Sequence, residues 1–587
     1  MAGLIGVCSV LLTVKYFPGV ESSQYYSGLI LKTLHPELLA NDGAHGAPFS
    51  VTGTPYRLSL YYLLPKLFGE LWLDDRFAAP FYLAMVAGCF ALVDRIAMAL
   101  GGRGLFERAA IVLMFAKDHQ ILANKVNFAH DPDFHHSALA MPFSLLVLWA
   151  ALAGRSVWVV LGLIILLAGV SSQVTPFAAA VGLGAVAIGA APRQRRLALG
   201  LLGLGLLAGV MVMVAAAPPA ADRVELWDML AGPWYKNMAN PFNTKRDGVV
   251  LSVVWNTLFL LLLAVARFWP GEATAPMRRL RMIATASFAL WLAAGLYVQF
   301  SPTVAHFPQL LLFPFARQLQ AAQVVIYVGA MVLLFRWQGQ QPSLGRTMAA
   351  LTVFAVLLVA GPGNYGMWAG MFALSSLAAA AVLHLRPRDG ETAGGMGATV
   401  ASRFPALVAT ALALGVAAMG ADAIRQKAPA WLITARTGIH GASSQAKWLG
   451  VARYFRAKTP VDAVVLTYQV DVNGLLAVRR ELASRSGRAM APPFLLAHGL
   501  KLDYFRFTKR QLDLANDIRD TWQAGDAAAT AAGLDEIRPR LDYVVMPSPQ
   551  ASLMAGSDFP FAPEATIDGF TIMRRVKGQG TAINGSP

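Results

Sequence analysis

Apolar runs of membrane-crossing length recur about thirteen times along the first 421 residues, at approximately 2–17, 77–99, 105–126, 137–153, 156–171, 175–191, 196–216, 249–268, 281–300, 319–336, 346–361, 365–384 and 404–421. A hydrocarbon core about 30 Å thick calls for roughly 20 apolar residues in a helix. Inside it, every backbone polar group must be satisfied within the protein. A chain patterned this way is expected to fold as an α-helical polytopic membrane protein. Its composition agrees, since 14% of residues are charged where soluble proteins carry about 25%. The first run, MAGLIGVCSVLLTVKYF, lacks a basic leader and an A-x-A cleavage site, so a retained helix is expected. Lys15 near its end can snorkel outward.

The net charge of +16 does not argue for nucleic-acid binding, because the basic residues concentrate in short loops. When the spans are laid alternately through a membrane, six basic loops fall on one side. They are Arg103–Arg108, Arg155, Arg193–Arg196, Arg267–Arg281, Arg336–Arg346 and Arg386–Asp389. By the positive-inside rule that side is cytoplasmic. The N-terminus then starts inside, and an odd number of spans leaves the C-terminal part outside. Cys8 and Cys89 both sit in apolar runs, so neither a disulfide framework nor a thiolate metal site is expected.

The outer side receives long segments at about 18–76 and 217–247. The first includes TPYRLSLYYLLPKLFGELWL, which reads as a helix lying in the membrane interface with Tyr61, Tyr62 and Trp72 at headgroup level. Residues 1–421 form the membrane domain, and 422–587 read as a soluble domain. In that domain WLGVARYFRA (Trp448–Ala457) places Trp448, Val451, Ala452 and Phe455 on one helical face. Thr459-Pro460 breaks the helix, and Ala463–Tyr468 follows as a buried strand. LDEIRPRLDYVVMPS repeats the order, with its strand at Tyr543–Met546, so a small extracytoplasmic α/β domain is expected. The tail KGQGTAINGSP is expected to be disordered.

The densest ionisable stretch is KDHQILANKVNFAHDPDFHHS (Lys117–Ser137), set between two apolar runs. Ionisable residues near membrane depth are costly and mark functional sites. Lys117, Asp118 and His119 would face the bundle interior or a wet cavity. Asp131, Asp133, His135 and His136 are of the types that ligate a divalent metal. The same residues equally suit a helix start, with Asp131 as N-cap, Pro132 at the first helical position and Asp133 in the first turn. Lys117, Lys236, Arg246 and Arg317 are outer-side bases, the natural donors to a lipid phosphate. Taken singly, each is equally a solvated or snorkelling residue. Glu21 and Asp42 are carboxylates on the first outer loop, where a general base could stand.

An inside N-terminus leads through one helix into a long outer loop, PGVESSQYY, and an outer α/β domain ends the chain. This layout resembles the glycosyltransferase C superfamily, polytopic enzymes that take a sugar from a polyprenyl-phosphate carrier. The resemblance implies that Glu21 is the catalytic base, with Tyr25 and Tyr26 as the aromatics that follow it. A single Glu after Val20 stands where many members carry two acids, which makes Asp42 the substitute candidate. The resemblance also implies that the loop with Asp118, His119, Asp131, Asp133, His135 and His136 lies near the donor phosphate or a divalent ion such as Mg or Mn. WLGVARYFRAKTPVDAVVLTYQ further resembles the opening of oligosaccharyltransferase outer domains. Tyr468-Gln469-Val470-Asp471 stands in place of their Trp-Trp-Asp signature, so protein N-glycosylation is not implied.

The expected function is sugar transfer from a polyprenyl-phosphate donor to a cell-envelope acceptor, at the periplasmic face of a bacterial inner membrane. The alternatives are a lipid or polysaccharide transporter or flippase, with the Asp/His cluster as proton relay, and a polysaccharide polymerase or ligase. No internal repeat of the kind many transporters show is present.

Overall fold

The computed structural model describes residues 1–16, 34–35, 37–38, 63, 66–102, 104–116, 136–171, 174–215, 260–261, 263–267, 274–300, 315–340, 346–347, 350–351, 353–354, 393–437, 446–467, 489–490, 514, 517–518, 520–521, 524, 526–536, 540–554 and 559–576. It divides into two compact units. One comprises Met1–Phe17, Ala79–Val224 and Tyr235–Ala428; the other comprises Pro18–Ala78, Glu225–Trp234 and Pro429–Pro587.

The first unit is a bundle built from α1 (Ala2–Tyr16), α2 (Asp75–Ala99), α3 (Leu105–Ala116), α4 (His136–Leu152), α5 (Val157–Val170), α6 (Thr175–Ala187), α7 (Pro192–Ala215), α8 (Ala275–Phe300), α9 (Phe315–Gln340) and α10 (Ala393–Thr437). Among the described residues, four stretches are long and apolar enough to cross a membrane: Arg76–Ala99, Ala275–Tyr297, Leu319–Gln340 and Arg403–Leu432. Ala2–Lys15, Leu139–Leu152, Val157–Val170 and Thr175–Ala187 are shorter apolar helices. The expected run at 365–384 lies outside the described residues. Helix α9 is deeply enclosed. It packs against α3, α4, α6 and α8, and 89% of its apolar window is buried. A helix that is apolar on every side needs such surroundings.

Two arginines expected in basic loops, Arg279 and Arg336, stand instead within helices, which run past the apolar part of the sequence, and both make defined contacts. The last carbonyls of a helix have no intrahelical partner, and cations are favoured at that end. Arg279 at the start of α8 donates to the carbonyls of Leu152 (2.9 Å) and Ile188 (3.2 Å), at the ends of α4 and α6. Arg336 near the end of α9 donates to the Leu100 carbonyl at the end of α2 (2.9 Å). These arginines thus close helix ends that are far away in the chain.

Glycine is required at both caps. Gly101 and Gly154 have φ of +94° and +72°, and a Cβ on Gly154 would stand 2.8 Å from Arg279 Nη1. Gly154→Ala is expected to cost about 1–3 kcal/mol through left-handed strain and the displaced guanidinium. Gly162→Ala has open space within α5 and should instead be neutral or slightly stabilising, by up to about 1 kcal/mol. Thermal unfolding of the two variants in detergent checks the opposite signs.

Asp94 on α2 and Arg108 on α3 form a two-pronged pair, Nε to Oδ1 and Nη2 to Oδ2, both 2.6 Å. Asp94 is 6% exposed.

The second unit is centred on a five-stranded sheet. Helix α11 (Ala446–Lys458) leads into β1 (Val464–Thr467). Then come β2 (Ala489–Met490), α12 (Ala527–Glu536), β3 (Tyr543–Pro547), α13 (Ser548–Met554), β4 (Phe561–Ile567) and β5 (Phe570–Arg575). The order is β2-β1-β3-β5-β4, parallel across β2-β1-β3 and antiparallel across β3-β5-β4. The amphipathic helix and both strands read from sequence are present. Val451, Ala452 and Phe455 pack with Val465, Tyr543, Val545 and Ile572. The opposite face of the sheet carries a second core, with Val464, Leu466, Val544, Met546 and Met573.

Hairpin β4–β5 is an addition to the expected elements. It turns on Asp568 and Gly569, both at positive φ, the conformation that suits an Asp-Gly turn between twisted strands. Residues between α1 and α2 contribute to this unit directly. Leu38 packs against the cluster around Phe455, and His35 Nε2 lies 2.8 Å from Glu70 Oε1.

Trp72 differs from its expected place at headgroup level. It is 4% exposed, packed between Phe68 at 6.2 Å and Phe77 at 6.3 Å between ring centroids. Tyr61, Tyr62 and the tail after Val576 lie outside the described residues.

Candidate functional site

The described helices end where the candidate site begins. Helix α1 ends at Tyr16, just before the loop that carries Glu21 and Asp42. The last seven residues of α3, Ala110–Ala116, are all buried, so the chain leaves a packed helix end as it enters Lys117-Asp118-His119. The next described helix, α4, begins at His136.

Glu21, Asp42, Lys117, Asp118, His119, Asp131, Asp133, His135, Lys236 and Arg246 lie outside the described residues. For His136 and Arg317 the structure describes helical backbone alone, in α4 and α9. Among the described residues, no three His, Cys, Asp or Glu side chains gather as a metal would need.

Buried neutral polar groups lie within the bundle. Gln323 on α9 is 2% exposed and Ser287 on α8 is fully buried. Among the described residues, neither amide atom of Gln323 has a hydrogen-bond partner, nor does Ser287 Oγ. Thr13 on α1 is 6% exposed, and its hydroxyl is likewise unsatisfied. An unsatisfied buried polar group costs about 1–3 kcal/mol, so a bundle that holds several is under strain unless water or a ligand serves them.

A cavity of about 10 Å³ lies between α4, α6 and α9, lined by Met141, Ser144, Phe177 and Gln320 among others. That is room for about one water. These groups were missed from sequence because only ionisable residues were weighed there. The available signal was neutral: RQLQAAQ (Arg317–Gln323) places three glutamines at the head of an apolar run.

No family model matches the chain, and no curated protein matches it. Two solved structures of ArnT from Cupriavidus metallidurans are similar to it. The one bound to undecaprenyl phosphate has a TM-score of 0.44 and 14% identity, over 98% of both chains. The apo form has a TM-score of 0.45 and 15% identity, over 98% of this chain and 97% of that one. The similarity runs the length of both chains at low identity.

Proposed function

We propose that this protein is a membrane glycosyltransferase that moves a sugar from a polyprenyl-phosphate-linked donor to a cell-envelope acceptor at the periplasmic face. The observation that carries the reading is the pairing of the first outer segment with the C-terminal α/β domain. Leu38 packs against the core around Phe455, and in the chain it lies between Glu21 and Asp42. A catalytic base gains from such support, because it must be held within hydrogen-bond reach of the proton it removes.

In this mechanism the donor enters from the bilayer and its phosphate is held by Lys117, Lys236, Arg246 or Arg317, beside Asp118 and His119. Glu21, with Asp42 as substitute, accepts the proton of an acceptor hydroxyl. The oxygen attacks the anomeric carbon, the bond from that carbon to the phosphate oxygen breaks, and the lipid phosphate leaves with the electron pair. Asp131, Asp133, His135 and His136 would hold any divalent ion, which would supply positive charge near the phosphate. Two carboxylates with two imidazoles suit Mn better than Mg, which prefers oxygen donors.

The test is incubation of the purified protein with radiolabelled polyprenyl-phosphate sugars and envelope acceptors, with undecaprenyl phosphate added as competitor. Labelled acceptor is the expected product. No product with any donor, together with movement of labelled lipid across proteoliposomes, would establish the flippase alternative instead. Full activity after extensive washing in EDTA would count against an exchangeable metal.

A further inference from the structure

Helices α4 to α9 carry no carboxylate. The sequence has no Asp or Glu from Phe134 to Ala221, and none from Ala273 to Arg388. The same helices are supplied with arginine, and the fold gathers six of these side chains at one end of the bundle. Arg279, near the start of α8, donates to the Leu152 and Ile188 carbonyls. The α4–α5 and α6–α7 connections therefore meet beside the start of α8. Arg155 lies in the first connection, Arg193, Arg195 and Arg196 open α7, and Arg278 precedes Arg279.

Two of these guanidinium groups converge. The Nη2 atoms of Arg278 and Arg279 each stand 3.9 Å from the point that a Cβ on Gly189 would occupy. Arg279 is committed to the two carbonyls, whereas Arg155, Arg193, Arg195, Arg196 and Arg278 are exposed. Among the described residues, none of the five is paired with a carboxylate. Helices α5, α7 and α8 also begin here, and helix N-termini favour anions. A surface of one sign, with no acid in its own helices, is complementary to an external anion.

The surroundings identify the anion as a lipid. Trp158 and Val159 on the first turn of α5 and Leu199 on α7 are exposed, so apolar surface begins within one turn of the arginines. Arg155 lies over the Trp149 ring at 5.4 Å, and tryptophan is enriched where hydrocarbon meets headgroups. Basic residues between membrane helices are suited to phospholipid headgroups. We propose that this end of the bundle is a binding site for anionic phospholipid, with the exposed arginines on the phosphate and Trp158, Val159 and Leu199 against the glycerol and upper acyl chains.

The experiment titrates purified full-length protein in neutral detergent with phosphatidylglycerol, cardiolipin or phosphatidylethanolamine and counts the retained lipids by native mass spectrometry. The two anionic lipids are expected to bind about tenfold or more tighter than phosphatidylethanolamine. The variant Arg155→Gln/Arg193→Gln/Arg196→Gln/Arg278→Gln is expected to lose about tenfold or more of that affinity, since each basic residue near an anionic surface is worth about fivefold. Arg279 is kept, because it closes α4 and α6. Arg425→Gln, on α10 beside Asp422, is the control and should bind as the unsubstituted protein does.

Equal retention of all three lipids would overturn the proposal, and so would an equal loss in the Arg425 variant. Displacement of the lipid by an equal concentration of glycerol 3-phosphate would assign the arginines to a soluble phosphate ester instead. Phosphatidylglycerol carrying a diazirine near its headgroup, crosslinked to unsubstituted protein in nanodiscs, gives a readout that needs no variant to fold. Its adducts are expected within residues 155–159 and 193–199, and their absence from both would also overturn the proposal. Neither measurement involves sugar transfer, so the lipid site is decided whatever becomes of the proposed activity.

Discussion

Replacing Glu21 by Gln is expected to lower sugar transfer by about 10²–10⁴-fold, the usual worth of a positioned general base. Glutamine keeps the size and hydrogen-bonding shape of the side chain and removes its capacity to take a proton. A loss confined to chemistry therefore lowers kcat and leaves the KM for the lipid-linked donor nearly unchanged, because the donor is held through its phosphate. Folding should also be unaffected, and gel filtration and thermal unfolding verify that the variant is intact. Asp42→Asn is the companion variant. If Asp42 is the base, the two results exchange places, and near-normal transfer by both variants removes the first outer loop from the mechanism.

The second large effect is on stability. Asp94→Asn is expected to destabilise the bundle by about 1–3 kcal/mol, because it weakens both charge-assisted bonds that hold the partly buried Arg108 guanidinium. Asp94 is 6% exposed, and the two bonds between the partners are both 2.6 Å. The double variant Asp94→Leu/Arg108→Met removes both charges at similar volume and should recover most of the loss, since a buried pair seldom outweighs its own desolvation. Unfolding in detergent titrated with a denaturing surfactant measures both. A single variant that loses less than about 1 kcal/mol would mean that the pair is hydrated in the membrane-embedded protein.

Local patterns were legible wherever one element suffices to satisfy them. Hydropathy marked the runs 77–99, 137–153 and 156–171, which the structure forms as Asp75–Ala99, His136–Leu152 and Val157–Val170. The run at 404–421 is part of a longer helix, Ala393–Thr437. Hydropathy reports the apolar part of a helix, while backbone hydrogen bonding continues into its polar flanks. The face with Val451, Ala452 and Phe455 was legible for the same reason, as one stripe with one period. The β4–β5 hairpin was legible in principle, because Asp568-Gly569 between alternating residues is a strong local signal. It was passed over because β4 is largely exposed and carries Pro563 and Glu564. Neutral polar residues such as Gln323 and Ser287 were passed over because nothing in a hydropathy profile distinguishes a wet amide from a buried, unsatisfied one.

What the sequence by itself determined is a helical membrane protein with a C-terminal part of helix–strand units. Those features follow from the cost of charge and unpaired backbone in hydrocarbon, which each segment meets alone. What only the tertiary structure decided is which distant segments meet. Arg279 closes the ends of α4 and α6. Leu38 joins the core around Phe455, and β3 lies between β1 and β5. Trp72 turns inward while its leucine neighbours face out. Each of these depends on shape and on hydrogen-bond partners far away in the chain, and no local period or composition encodes that pairing.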